Sequence, residues 1–197
     1  GELIADAPGG YGGGAGTPDD PFQIWTAEQL NEIGRHEKHW HRNFKLMSDI
    51  DLSRFDGRTR SSTFNIIAPD RGVPFEEISE RVFFVGAFDG HGHTVHNLTL
   101  LSDACTGLFG LVGTGGEIRD LALSNVSIDG HTWVGALVGV NHGKIAGCHA
   151  SGRIAGNVAV GGLVGTNLGC ITKCHSTGTV SGKMLVGGLS GAMWGME

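Results

Sequence analysis

His91-Gly-His93-Thr-Val-His96 sets three imidazoles within six residues, with Asp89 just upstream. Imidazole and carboxylate are ordinary ligands of zinc and copper, so His91, His93 and His96 form the first candidate metal site. Asp89 with His91 is also the first candidate catalytic pair. Asp49 and Asp51, two apart and therefore on one face of a strand, are the second. Two acids flanking a sugar linkage, or a base with a charge neutraliser, are what polysaccharide cleavage needs. Two further sets of imidazoles exist: His36-Glu-Lys-His39-Trp-His41 could chelate or line a polar helix end, and Cys148-His149 recurs as Cys174-His175. Against each chemical role stands a structural one, since His and Asp also satisfy backbone groups at corners. For the cluster from Asp89 to His96 the corner is the expectation. No cofactor is expected, with zinc or copper as the exceptions.

The elements that must position these residues are announced by repetition. Val134-Gly-Ala-Leu-Val-Gly139 returns as Val160-Gly-Gly-Leu-Val-Gly165 and as Val186-Gly-Gly-Leu-Ser-Gly191, a period of 26 residues. Asn141-His-Gly-Lys-Ile-Ala-Gly-Cys148 aligns likewise with Asn167-Leu-Gly-Cys-Ile-Thr-Lys-Cys174. A fixed period in the twenties marks a solenoid, in which one coil buries its apolar face only when the next stacks on it. Short apolar pieces alternating with glycine predict strands, about three per coil. Equivalent residues then stack, so Leu137, Leu163 and Leu189 form one inward ladder. Ile145 with Ile171, and Ile154 with Val180, form others. Such ladders fill a narrow core without large side chains, which fits 35 glycines and 7% aromatics.

Looser copies extend the array upstream. Thr106-Gly-Leu-Phe-Gly110 precedes the Gly135 phrase by 29 residues, and Val85-Gly-Ala-Phe-Asp-Gly90 reads as a further copy of it. Phe44 to Leu52 alternates like a half-buried strand and is the expected first coil. Residues 54–80, charged and carrying Pro69 and Pro74, read as an inserted corner loop; coils otherwise fill 43–197. An N-terminal cap is expected over 25–42. Thr26 can cap a helix from Ala27 to Ile33, Gln29 can reach back, Trp25 and Leu30 can clasp the first turn, and Gly34 can stop it. The Gly-rich residues 1–24 read as a flexible lead-in left after processing of a removed signal. At the other end Met193, Trp194 and Met196 stand in a coil with no cap, which predicts further repeats or another chain there.

Four cysteines do not space as a disulfide framework; Cys148 and Cys174 read as a small apolar ladder, and Cys105 and Cys170 are unassigned. The formal net charge of −6 argues against general nucleic-acid binding. No apolar run approaches the ~20 residues of a membrane helix, so membrane insertion is not expected. Gly12 to Gly16 is followed by no lysine and is not a phosphate loop.

Gly161-Gly-Leu-Val-Gly165, continued by Asn167, Gly169, Ile171, Cys174, Ser176-Thr-Gly178 and Val180, resembles the GLUG repeat of bacterial surface proteins and adhesins. Gly16-Thr-Pro-Asp-Asp-Pro, Asp49-Ile-Asp-Leu-Ser53 and Phe88-Asp-Gly-His-Gly-His-Thr-Val95 are similar to the opening of the same secreted proteins. Met193 departs from the pattern, standing where Asn141 and Asn167 stood. The resemblance implies a right-handed parallel β-helix, secreted or at the cell surface, with a structural or adhesive role and no defined reaction. The expected function is therefore a binding or adhesion module with polysaccharide or glycan as partner. The alternative is a polysaccharide-cleaving enzyme, a glycoside hydrolase or lyase.

Overall fold

The computed structural model describes residues 10–55, 64–72, 82–103 and 105–193. Pro74, Trp194 and Met196 lie outside the described residues. Four parallel sheets wrap one apolar interior, and each of the later, full coils adds one strand to each. Sheet I holds Phe22–Ile24, Asn43–Leu46, Ala87–Asp89, Glu117–Arg119, Lys144–Ala146 and Cys170–Thr172. Sheet II holds Ile50–Asp51, Thr94–His96, Ala122–Gly130, His149–Ala155 and His175–Ser181, with Thr99–Ser102 also on Ala122–Gly130. Sheet III holds Thr132–Val134, Val158–Gly161 and Met184–Gly187, and sheet IV holds Phe109–Val112, Val138–Asn141, Val164–Asn167 and Ser190–Met193. A full coil thus has four strands, not the three expected. The extra one is created where Val-Gly-Gly-Leu folds sharply between sheets III and IV.

The ladders stand in the expected register. Ile118, Ile145 and Ile171 are partners, as are Ile128, Ile154 and Val180. Leu137 N–H donates to the Leu163 carbonyl at 2.9 Å and Leu163 N–H to that of Leu189 at 2.9 Å, and Leu137 and Leu163 are fully buried. Toward the N-terminal end phenylalanine replaces isoleucine: Phe22, Phe44 and Phe88 precede Ile118 in the same sheet I ladder. At the corner between sheets IV and I, Asn141 Nδ2 donates to Asn167 Oδ1 at 2.7 Å. Both amides are buried, and Asn141 Oδ1 accepts from Gly143 N–H at 3.0 Å, so the polar ladder satisfies itself.

The glycines of the repeat are required by contact between sheets III and IV. A Cβ on Gly165 would lie 2.5 Å from the Trp133 carbonyl carbon, and one on Gly161 would lie 2.7 Å from Gly191 N. Backbone packs on backbone there.

Three upstream expectations are corrected. Val85–Gly90 is not a copy of the Gly135 phrase: Phe88 pairs with Ile118 and Asp89 with Arg119, which places it in sheet I. The sheet IV position of that coil is filled instead by Ile67 and Phe84, bridged to Phe109 and Val112, so part of the insertion is core. Stacking also begins earlier than Phe44, because Phe22–Ile24 pairs with Phe44–Leu46. The glycine-rich lead-in is pinned along that strand by Gly12 N–H to Gln23 O and Gln23 N–H to Gly13 O, both 2.9 Å.

The helix spans Ala27–Arg35. Gln29 N–H donates to Thr26 Oγ1 at 3.3 Å, and Gln29 Oε1 accepts from Trp25 N–H at 2.7 Å, the reciprocal arrangement of a capping box shifted by one residue. Leu30 and Ile33 are buried in the common core, whereas Trp25 is 47% exposed and does not clasp the turn. Gly34 lies inside the helix rather than ending it, since the backbone of Asn65 passes where a side chain would be.

Leu163→Ala should lose about 2–5 kcal/mol in chemical denaturation, the cost of a cavity in a ladder that cannot collapse. Gly165→Ala should cost about 1–3 kcal/mol through overpacking. Gly188→Ala, with nothing within 4 Å of the added methyl, should stay within about 0.5 kcal/mol of wild type.

Candidate functional site

Outward residues of sheet I form two rows. Gln23, Lys45, Asp89 and Arg119 are successive partners in one, and Asn43, Ala87, Glu117 and Lys144 in the other. The lead-in crosses their edge, where Asn43 Nδ2 donates to Gly16 O at 3.1 Å. Between lead-in and sheet lies a groove of about 230 Å³, lined by Pro18, Pro21, Asn43, Asp89, Glu117 and Arg119 among others. A second groove of about 390 Å³ lies on sheet II against Leu101, Ser127, Asp129 and Arg153. Neither was visible in the sequence, because the register that aligns residues thirty positions apart depends on where the insertion leaves the stack.

Asp89 anchors the first groove. Its Oδ2 accepts from Arg119 Nη2 at 2.7 Å and its Oδ1 from His91 N–H at 2.8 Å. Burial pushes this carboxyl up, but the bonds from Arg119 and the His91 amide outweigh it and hold it below the usual aspartate range. Asp89 therefore contacts the backbone of His91, and the guanidinium of Arg119 is its charged partner.

The histidine motif builds a corner. His93 N–H donates to Gly90 O at 2.8 Å, and His91 and Gly92 between them have φ of 52° and 79°, as the central residues of a type I′ turn require. Four residues separate Asp89 from Thr94 where two separate Arg119 from Ala122, so the turn absorbs the excess. His93 Nδ1 lies 3.2 Å from Asp49 Oδ1, which also accepts from Thr94 N–H at 2.9 Å. His96 lies in sheet II beside Asp51, and the His91 and His93 rings are 6.1 Å apart. His91, His93 and His96 do not converge. Among the described residues, no group of three or more His, Cys, Asp or Glu side chains could hold a metal ion.

Asp49 and Asp51 share a strand end but serve different partners. Asp51 accepts from Asn97 Nδ2 at 2.8 Å and Ser53 N–H at 2.9 Å, and Asn97 Oδ1 accepts in turn from Asn125 at 2.7 Å. These bonds, from Thr94 and His93 for Asp49 and from Asn97 and Ser53 for Asp51, hold both carboxyls below their ordinary value. A general acid requires the opposite shift. His39, lowered by burial and then by His36, meets the buried Tyr11 hydroxyl at 3.1 Å. Tyr11 packs on Phe22 at 4.7 Å, a structural role that the glycine-rich lead-in concealed. His149 and His175 stack outward, with centroids 4.9 Å apart and planes within 4°.

Residues 156–181 match the family described as the GLUG motif, and they comprise one whole coil, with a strand in each of sheets III, IV, I and II. The chain is a parallel β-helix, and this one coil carries the GLUG motif. It is 36% identical over 145 residues to halomucin of Haloquadratum walsbyi, covering 72% of this chain and 2% of that one. It is 30% identical over 142 residues to a protein named as a Gly-rich membrane protein from Evansella cellulosilytica, covering 68% of this chain and 15% of that one. The chain thus spans a small part of these relatives. A crystal structure of an immunoglobulin A1 protease-like protein from Bacteroides ovatus superposes with a TM-score of 0.64 at 21% identity, over 96% of this chain and 67% of that one, and so shares its fold. These relatives fit a surface or secreted setting. Among the described residues no helix is long and apolar enough to cross a membrane.

The Asp89–Arg119 contact carries a pH prediction. A carboxyl held low in the folded state stabilises it above its unfolded value of about 3.9, and that contribution is lost as pH falls through the folded value. In Arg119→Met, carboxyl-carbon NMR should show Asp89 titrating at higher pH than in wild type. An unchanged titration would mean that Arg119 does not set the charge of Asp89.

Proposed function

We propose that this chain is a binding module of a secreted or cell-surface protein and that it holds glycan on the outer face of sheet I. The observation that carries this reading is the groove beside the lead-in. Asn43, Asp89, Glu117 and Arg119 present an amide, two carboxylates and a guanidinium on three successive rungs of one rigid sheet, about 4.8 Å from rung to rung, with Glu117 and Arg119 sharing the last. Such fixed donors and acceptors suit the hydroxyls of a sugar, and their regular spacing suits a polymer more than a single small molecule. Asp89 and Arg119 are held by each other before any ligand arrives, so little side-chain freedom is lost on binding.

A glycan-array screen of the chain, followed by a product assay on each hit, tests the reading. Binding without release of oligosaccharide is expected, weakened at least tenfold in Glu117→Ala and in Arg119→Ala while Arg153→Ala, on the sheet II groove, binds as wild type. Equal loss in all three variants, or no glycan bound, would overturn the placement. Released oligosaccharide would replace binding with cleavage.

A further inference from the structure

Cys148 and Cys174 occupy the corner between sheets I and II on adjacent rungs, immediately before the partnered His149 and His175. Neighbouring rungs about 4.8 Å apart place two Cα atoms inside the ~4.4–6.8 Å span that a disulfide bridges. Two side chains standing parallel would still keep their sulfurs apart, but here Cys174 leans toward its neighbour. Its Sγ lies 3.3 Å from Cys148 N, whose N–H it accepts, while the thiols themselves reach backbone carbonyls, Cys148 Sγ that of Ala146 at 3.4 Å and Cys174 Sγ that of Thr172 at 3.2 Å. Cys148 is fully buried and Cys174 is partly exposed, so only the latter meets a reagent from solvent. The other cysteines are elsewhere: Cys105 donates to Gly110 O at 3.0 Å in the interior, and Cys170 is exposed in sheet I.

We propose that Cys148 and Cys174 are a modification site at which exchange with a small-molecule disulfide closes a disulfide between adjacent rungs. In the first step the Cys174 thiolate attacks one sulfur of the reagent, forming a mixed disulfide and expelling the other half, which takes up a proton. In the second, Cys148 loses its proton to solvent and its sulfur attacks Cys174 Sγ, releasing the remaining half as a second thiol. Two protein thiols are oxidised and one reagent disulfide is reduced. The neighbouring Cys148 side chain, set against burial, lowers the Cys174 thiol to about 7, which supplies thiolate at neutral pH. The same pairing and then burial raise Cys148, so closure is the slower step. The bond ties the GLUG coil to the coil before it and fixes their register. An oxidising extracellular setting would keep it closed.

The test uses the full chain carrying Cys170→Ser, reduced and then incubated with oxidised glutathione. Intact mass should fall by two hydrogens, a digest should yield one peptide pair joined through Cys148 and Cys174, and the denaturation midpoint should rise and fall back on reduction. With Cys148→Ala added, the reaction should stop at a stable glutathione adduct on Cys174, showing that Cys148 resolves it. A stable adduct in the presence of Cys148, no reaction at all, or a link through Cys105 would overturn the proposal.

Discussion

Backbone contact between sheets III and IV is the constraint on which each repeating coil depends. With Gly139, Gly165 and Gly191 facing the strand of the preceding coil, sheet III lies directly on the outer surface of sheet IV. Any side chain at these positions would push the layers apart and unseat the leucine ladder beneath. Sheet IV is consequently buried on both faces, and its strands Phe109–Val112, Val138–Asn141 and Val164–Asn167 are buried at every residue. A strand of that kind reads as a continuous apolar run rather than an alternation. Display of polar groups is left to sheets I and II, where alternation persists.

Within that frame the core is graded. The N-terminal coils contain the insertion, the helix and the lead-in, and rings fill the space they enclose: Phe84 and Phe88 stand 5.0 and 5.4 Å from Phe109. The later coils are regular and close-set, so isoleucine, valine and leucine suffice. The Asn141–Asn167 pair shows the cost of regularity at a corner, since buried backbone groups there require partners that a purely apolar ladder lacks. Val112 below and Met193 above end that ladder after two rungs.

What the sequence disclosed tracks how much of the structure is periodic. Leu137, Leu163 and Ile145 were legible because their neighbours lie one period away, and Thr26 because capping is local. The division of Val-Gly-Gly-Leu-Val-Gly into two strands was not, since the fold-back depends on a contact with the next coil rather than on anything within the phrase. Val85–Gly90 misled for a related reason: its glycines mimic the repeat, but the insertion had already moved it to another sheet. The same shift hid the groove, because nothing local brings Asp89 to Arg119 or Asn43 to Glu117. The histidine motif was legible as a corner, and its geometry is that of a turn that takes up two surplus residues.

Recognition in a solenoid has to come from departures from the repeat. In the regular coils outward residues stand in rung-to-rung register, as His149 stands on His175, so the surface is a set of rows without a centre. Along sheet I the irregular features accumulate on the N-terminal side: the lead-in wraps the edge, the corner at Gly90–His93 is enlarged, and an arginine on one rung meets an aspartate on the rung before. These features turn two open rows into a bounded groove with a fixed charge pattern. The regular coils then act chiefly by rigidity, holding Glu117 and Arg119 at the spacing the groove needs, and their register is what any bond between rungs would protect.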